Sequence, residues 1–201
     1  MIRAGDSIHN PVTGERIVFR QTSADTNGEA VVIETYVEPH GFVAAAHVHP
    51  SQEERFQVLR GTVGFKIGRT EQVAGPGTRV TVPAGTPHRF WNAGDEELTL
   101  TGEVFPAGNL EFFLSAIYAS VAAHGGRPGA LDAAYLLTRY RTEFAMTAIP
   151  APVTRFVLPL QALFGRAFGR YSHFADAPNP ISRPMSATLP GRTTSARSSA
   201  G

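Results

Sequence analysis

From Ile17 to Val104 the chain alternates short β-branched and aromatic runs with glycine and proline, and that rhythm restricts what it can fold into. The runs are Ile17–Phe19, Ala30–Val37, Phe42–Val48, Arg55–Leu59, Thr62–Ile67, Arg79–Val82, His88–Trp91 and Leu98–Val104. Asp25-Thr26-Asn27-Gly28 separates the first two, and Asn-Gly is the strongest short hairpin signal. Gly61, Gly68, Gly75-Pro76-Gly77, Pro83-Ala84-Gly85 and Gly94-Asp95 divide the later ones. Many short strands with evenly spaced turns predict an antiparallel all-β sandwich or barrel over residues 1–106.

Within this region, residues 41–61 read GFVAAAHVHPSQEERFQVLRG. Side chains alternate between the faces of a strand, so His47 and His49 point to the same side. Imidazole and carboxylate are the donors that a divalent first-row metal takes at a mixed nitrogen and oxygen site. The stretch therefore reads as most of a metal site, with Glu53 or Glu54 adding a carboxylate. The chain has no cysteine, which excludes disulfides, thiolate ligands and a thiol nucleophile. Parity selects between the glutamates. Glu54 shares its face with Phe56 and Val58, residues suited to an interior, whereas Glu53 falls in register with Arg55 and Gln57.

A second segment, GTRVTVPAGTPHRFWN at 77–92, runs from a strand through a Pro-Ala-Gly turn to His88. With it the chain resembles the cupin superfamily. Gly41, His47, His49, Glu54 and Gly61 fill the fixed positions of the first cupin motif, and Gly77, Pro83, Gly85, His88 and Asn92 those of the second. Residues 62–76 between them resemble the compact spacing of microbial cupins. The resemblance implies an antiparallel jelly-roll β-barrel, with His47, His49, Glu54 and His88 holding one divalent transition metal. Fe(II) is foremost, with Mn, Ni, Co or Zn also suited to such donors. His9, His40, His124 and His173 have no partner at ligand spacing and read as ordinary histidines. Gly41, Gly61, Gly77 and Gly85 read as turn residues with positive φ. Phe56, Phe65, Phe90 and Trp91 are divided between core and pocket, and the faces of Glu34 and Tyr36 are left open.

The ligand set and the resemblance together imply a mononuclear metal-dependent enzyme. The expected reaction is that of an Fe(II)-type dioxygenase on a small oxygenated substrate such as an enediol, diketone or phenol. Isomerisation or decarboxylation through a polarised carbonyl is the alternative within enzymes, and a non-catalytic small-molecule sensor the alternative outside them. Cupins tend to dimerise through barrel edges, so a homodimer is expected. The formal net charge of +1 gives no electrostatic ground for a nucleic acid or an anionic membrane as partner. The N-terminus has no apolar signal region, so residence in the cytoplasm is the default expectation.

After Pro106 the periodicity changes. Leu110, Leu114, Ile117 and Val121 recur at helical spacing, with Asn109 as the expected N-cap and Gly125-Gly126 as the stop. A second helix is expected from about Ala130 to Met146, ended by Pro150-Ala151-Pro152. Pro159 puts either a kink or a later start into a third, Val153 to Gly169. The apolar stretch Phe156–Phe168 is interrupted by Gln161 and Arg166 and is too short to span a bilayer. Residues 107–175 are thus read as a helical extension packed on the barrel or at a dimer interface, with a surface-membrane contact by the Phe-rich third helix as a further alternative. Residues 176–201, rich in Pro, Ser, Ala and Gly, are read as a disordered tail.

Overall fold

The computed structural model describes residues 2–181, so most of the expected tail, 182–201, lies outside the described residues. The strands are β1 (Ser7–Asn10), β2 (Glu15–Gln21), β3 (Val31–Val37), β4 (Phe42–Val48), β5 (Glu53–Arg60), β6 (Val63–Ile67), β7 (Thr70–Ala74), β8 (Arg79–Val82), β9 (His88–Asn92) and β10 (Leu98–Phe105). They are followed by α1 (Leu110–Ala123), α2 (Ala130–Arg139), the short β11 (Ala145–Met146) and α3 (Leu158–Ala167). All pairings are antiparallel and form two sheets, β1-β2-β3-β10-β5-β8 and β11-β4-β9-β6-β7. Among the described residues the ladders do not join the two sheets into one closed barrel.

Alternation builds the interior. Val37, Phe56, Val58, Leu98 and Leu100 of the larger sheet meet Val63, Phe65 and Phe90 of the smaller one in one core cluster. Beyond it, Ile17, Phe19, Val31, Ile33 and Val104 continue the same face of the larger sheet, and there α1 replaces the second sheet. Leu110 and Tyr118 bury against these strand residues, with Leu114 and Ile117 partly buried beside them. A third cluster, Phe113, Leu136, Tyr140, Phe144 and Phe174, joins α1 to α2. The helical extension thus closes one end of the sandwich.

Several local expectations need correcting. Asn27 and Gly28 do adopt positive φ, 53° and 82°, but in the longer loop 22–30 rather than in a two-residue hairpin turn. Strand β7 carries no apolar run because it is an exposed edge strand, where polar side chains guard against further pairing. Asn109 makes no side-chain cap. Its amide nitrogen and backbone N–H both donate to the Glu143 carboxylate instead. The second helix stops at Arg139 rather than near Met146, because Ala145 and Met146 extend to pair with Val48 and His47 of β4. Of the two expectations for Pro159 the later start holds: α3 begins at Leu158 with Pro159 in its first turn, and a π-helical turn over Val153–Val157 leads into it. Of the expected tail, Ala177–Ile181 runs along α2. Arg139 and the Tyr140 hydroxyl donate to Pro178 O, and Thr142 Oγ1 to Ile181 O.

Candidate metal centre

Sheet pairing assembles the cluster. His47 of β4 lies directly across from His88, the first residue of β9, with ring centroids 4.3 Å apart. His49 follows the end of β4 and keeps the same side, 5.0 Å from the His47 ring. Glu54, at the start of β5 in the other sheet, completes the group from the opposite wall. One potential ligand atom from each of His47, His49, Glu54 and His88 falls within 4.8 Å of the others. Glu53 points outward and accepts a hydrogen bond from Arg55 Nε at 2.7 Å.

The turn around Gly85 positions both ends of the set. Gly85 N donates to His49 O at 2.9 Å, and its φ of +78° is one that a side chain would strain. Gly61 and Gly77 also have positive φ, but Gly41 does not; a Cβ there would sit 2.6 Å from Thr13 O. Asn92, the last position of the second motif, is a brace. It donates to Val37 O, Glu38 O and Glu96 O, and accepts from Gly94 N.

The protonation pattern suits a cation. Each imidazole has Nδ1 against a backbone carbonyl: His47 on Ala45 O at 2.9 Å, His49 on Glu143 O at 3.0 Å and His88 on Thr86 O at 2.8 Å. A carbonyl only accepts, so Nδ1 carries the proton and Nε2 keeps a lone pair. This is the outer-shell arrangement of metal-ligating histidines. Burial, with the neighbouring His49 and His88 rings, lowers the His47 pKa to about 3, and burial also lowers that of His49. Burial pulls His88 down too, but the Glu54 carboxylate outweighs it and leaves His88 above its ordinary value. Burial pushes Glu54 up, yet the three rings, His88 foremost, hold it below the ordinary carboxylate range. His88 Nε2 and Glu54 Oε2 approach to 2.9 Å without hydrogen-bond alignment, and neither buried atom has a hydrogen-bond partner. Such atoms are costly unless something binds them. A divalent cation satisfies both, so the residues present fit the metal.

Residues that sequence reasoning missed close the site. Phe144 stacks on the His47 ring, centroids 4.9 Å apart and 20° from parallel, and the preceding Glu143 supplies the carbonyl for His49. The Glu143 carboxylate is itself held by Asn109 N (2.6 Å), Asn109 Nδ2 (2.7 Å) and Ile181 N (3.0 Å). A cavity of about 60 Å³ extends inward from the cluster. Ile17, Ile33, Leu100, Val104, Leu110 and Leu114 provide much of its wall, and the lining includes Tyr118, whose hydroxyl donates to Glu15. Burial, with Glu15 adding to it, raises the Tyr118 pKa well above normal, so the phenol stays protonated. Phe56 and Phe90 line the cavity, whereas Phe65 packs in the core and Trp91 lies against Arg89 and Gly64. Outside the cavity, the Glu34 carboxylate accepts from the Tyr36 hydroxyl and from Arg20 Nε. His9, His40, His124 and His173 lie outside the cluster.

A two-sheet β fold whose inner faces carry a buried three-histidine, one-carboxylate cluster defines a class of protein with a candidate mononuclear metal centre. Residues 27–102 match the family model described as Cupin domain, and the chain carries a cupin domain. No curated protein matches it. Among solved structures it is similar to a sugar phosphate isomerase of the cupin superfamily from Silicibacter pomeroyi, at 22% identity over 47% of this chain and 60% of that one, TM-score 0.42. A predicted oxalate decarboxylase from Thermotoga maritima aligns at 16% identity over 52% of this chain and 98% of that one, TM-score 0.46. An RmlC-like cupin from Shewanella frigidimarina aligns at 16% identity over 50% of this chain and 83% of that one, TM-score 0.43. The chain thus spans less than two thirds of the first of these.

Proposed function

We propose that the protein is a mononuclear metal-dependent enzyme, an Fe(II)-type dioxygenase acting on a small oxygenated molecule. One observation carries the reading. His47 and His49, with bare Nε2 atoms, and the Glu54 carboxylate line a small, mostly apolar cavity with His88 beside them in the cluster, and among the described lining residues no other acid or base is uncommitted. Outside the cluster, the titratable side chains lining it are Glu15 and Tyr118, and these are hydrogen-bonded to each other.

The metal supplies Lewis-acid polarisation and, as iron, a redox centre for dioxygen. The protein supplies the rest. His47, His49, Glu54 and His88 hold the metal; the three backbone carbonyls fix the imidazole tautomers and ring planes. Phe144 shields the His47 ring from water, and Ile17, Ile33 and Leu114 accommodate the carbon skeleton of the substrate. The cavity holds on the order of four water-sized spheres, which restricts the substrate to a few heavy atoms beyond its metal-binding oxygens.

Oxygen consumption tests this. Protein reconstituted anaerobically with Fe(II) is expected to take up dioxygen stoichiometrically with substrate from a panel of enediols, 1,3-diketones and phenols. Iron-loaded protein that consumes no oxygen yet isomerises or decarboxylates a member of the panel would move the reading to carbonyl polarisation without dioxygen.

A further inference from the structure

The net charge of +1 is the sum of two unlike parts. Residues 1–146 carry twelve basic and sixteen acidic side chains, a net of −4, while residues 147–201 carry six arginines and one aspartate, a net of +5. No acidic residue lies between Thr147 and Ala175, the stretch that contains the π-helical turn and α3. This basic segment also bears the largest run of exposed apolar side chains among the described residues. Phe156, Leu160, Leu163 and Phe164 follow the i, i+4, i+7, i+8 spacing of one helical face. With Val157 and Phe168 beside them, they are 45–68% exposed. Elsewhere α3 packs on α2, and its buried Gly165 lies against the Tyr171 ring. Arg155 and Arg166 stand on the helix next to the apolar arc, and Arg170 follows it, all exposed.

We infer that this helical face is a docking surface for an anionic lipid bilayer. An arc of Phe and Leu flanked by arginine is the make-up of a helix lying in the plane of a membrane interface. Apolar side chains then enter the acyl boundary while guanidinium groups meet phosphates. No described helix is long and apolar enough to cross a membrane. A second copy of the chain fits this face less well. Self-packing would bring Arg155, Arg166 and Arg170 beside the same residues of the partner, with no carboxylate on the segment to offset them. A nucleic acid would engage the arginines but leave the six apolar side chains in water. Anionic lipid accounts for both features.

The full chain, incubated with vesicles of phosphatidylglycerol and phosphatidylcholine, is expected to sediment with them. Binding should weaken as salt rises and fall by about thirty- to a hundred-and-fiftyfold in affinity on vesicles of phosphatidylcholine alone, at about fivefold for each of two to three arginines engaged. Leu160→Glu and Phe164→Glu alter exposed positions, so the variants keep the wild-type melting temperature while losing at least about tenfold in vesicle affinity. A Phe164→Trp reporter is expected to show a blue-shifted emission on binding the anionic vesicles. Failure to sediment would overturn the inference, as would binding that Phe164→Glu leaves unchanged. So would a wild-type dimer by light scattering that Phe164→Glu converts to monomer.

Discussion

Replacing Glu143 by glutamine tests whether the helical extension is part of the metal centre. The side chain is 4% exposed, and its two oxygens accept three N–H groups: Asn109 N on one, Asn109 Nδ2 and Ile181 N on the other. Glutamine fills the same volume but turns one acceptor into a donor. Whichever way the amide is oriented, at least one buried N–H then faces another N–H. Leaving a buried donor unsatisfied costs about 1–3 kcal/mol, and the loss of charge weakens the bonds that survive. A total of about 2–3 kcal/mol corresponds to a melting temperature lower by about 4–12 °C for a domain of this size. The effect should reach the cluster, because Glu143 O is the acceptor that orients His49. Loss of such an outer-shell partner typically weakens metal binding about 10–100-fold. Calorimetry of the metal-free protein measures the first number and competition against a chromophoric chelator the second. A lower melting temperature with metal affinity within about twofold of wild type would refute the link between the extension and the centre.

Gly108→Ala should disturb the same network. Gly108 has φ of +58°, and an added Cβ would lie 2.7 Å from Glu143 Oε2 and 2.8 Å from Gln52 Nε2. Stability is expected to fall by more than the roughly 1–2 kcal/mol of the left-handed backbone alone, with metal affinity falling alongside it in the same chelator titration. Strand parity is tested by a pair of variants. Glu54→Gln should abolish tight metal binding, whereas Glu53→Gln, altering an outward side chain paired with Arg55, should leave it intact. The metal-free protein should also lose stability in acid. His47 and His49 have lowered folded pKa values, so their neutral forms favour the fold above pH 6.5, and that contribution is lost as the pH falls toward 3. At pH 5 His47 alone costs about 2 kcal/mol by this linkage. Glu54, also lowered, adds a loss below pH 4.5, while His88, raised, opposes it. Chemical denaturation of metal-free protein between pH 7 and 5 checks the sign, and a stability that rises over that range contradicts it.

What could be read in the sequence is what short-range geometry controls. Alternation along β5 separates Glu54 from Glu53, and the two-residue spacing of His47 and His49 gives them a common face. Neither depends on distant partners. Polar edge strand β7 escaped notice because its side chains are solvated and leave no pattern of burial. Glu143 and Phe144 read as the end of a helix because their helical periodicity is plausible locally. Their contacts with His49 and His47 span nearly half the chain and override it. Tyr118 likewise reads as one more apolar position of α1 until the fold sets it against Glu15. The ligands were legible, then, while the parts that close the site over them were not.

Whether His47, His49, Glu54 and His88 hold a single transition metal can be measured on the protein itself. Elemental analysis of the natively purified protein, repeated on His47→Ala and His88→Ala, tests it most directly. About one equivalent of a first-row metal per chain is expected in the wild type, and a loss to background in both variants while their circular dichroism stays native. A folded wild-type protein that carries no such metal, and takes up none when offered Fe(II), Mn(II), Ni(II), Co(II) or Zn(II), would contradict it.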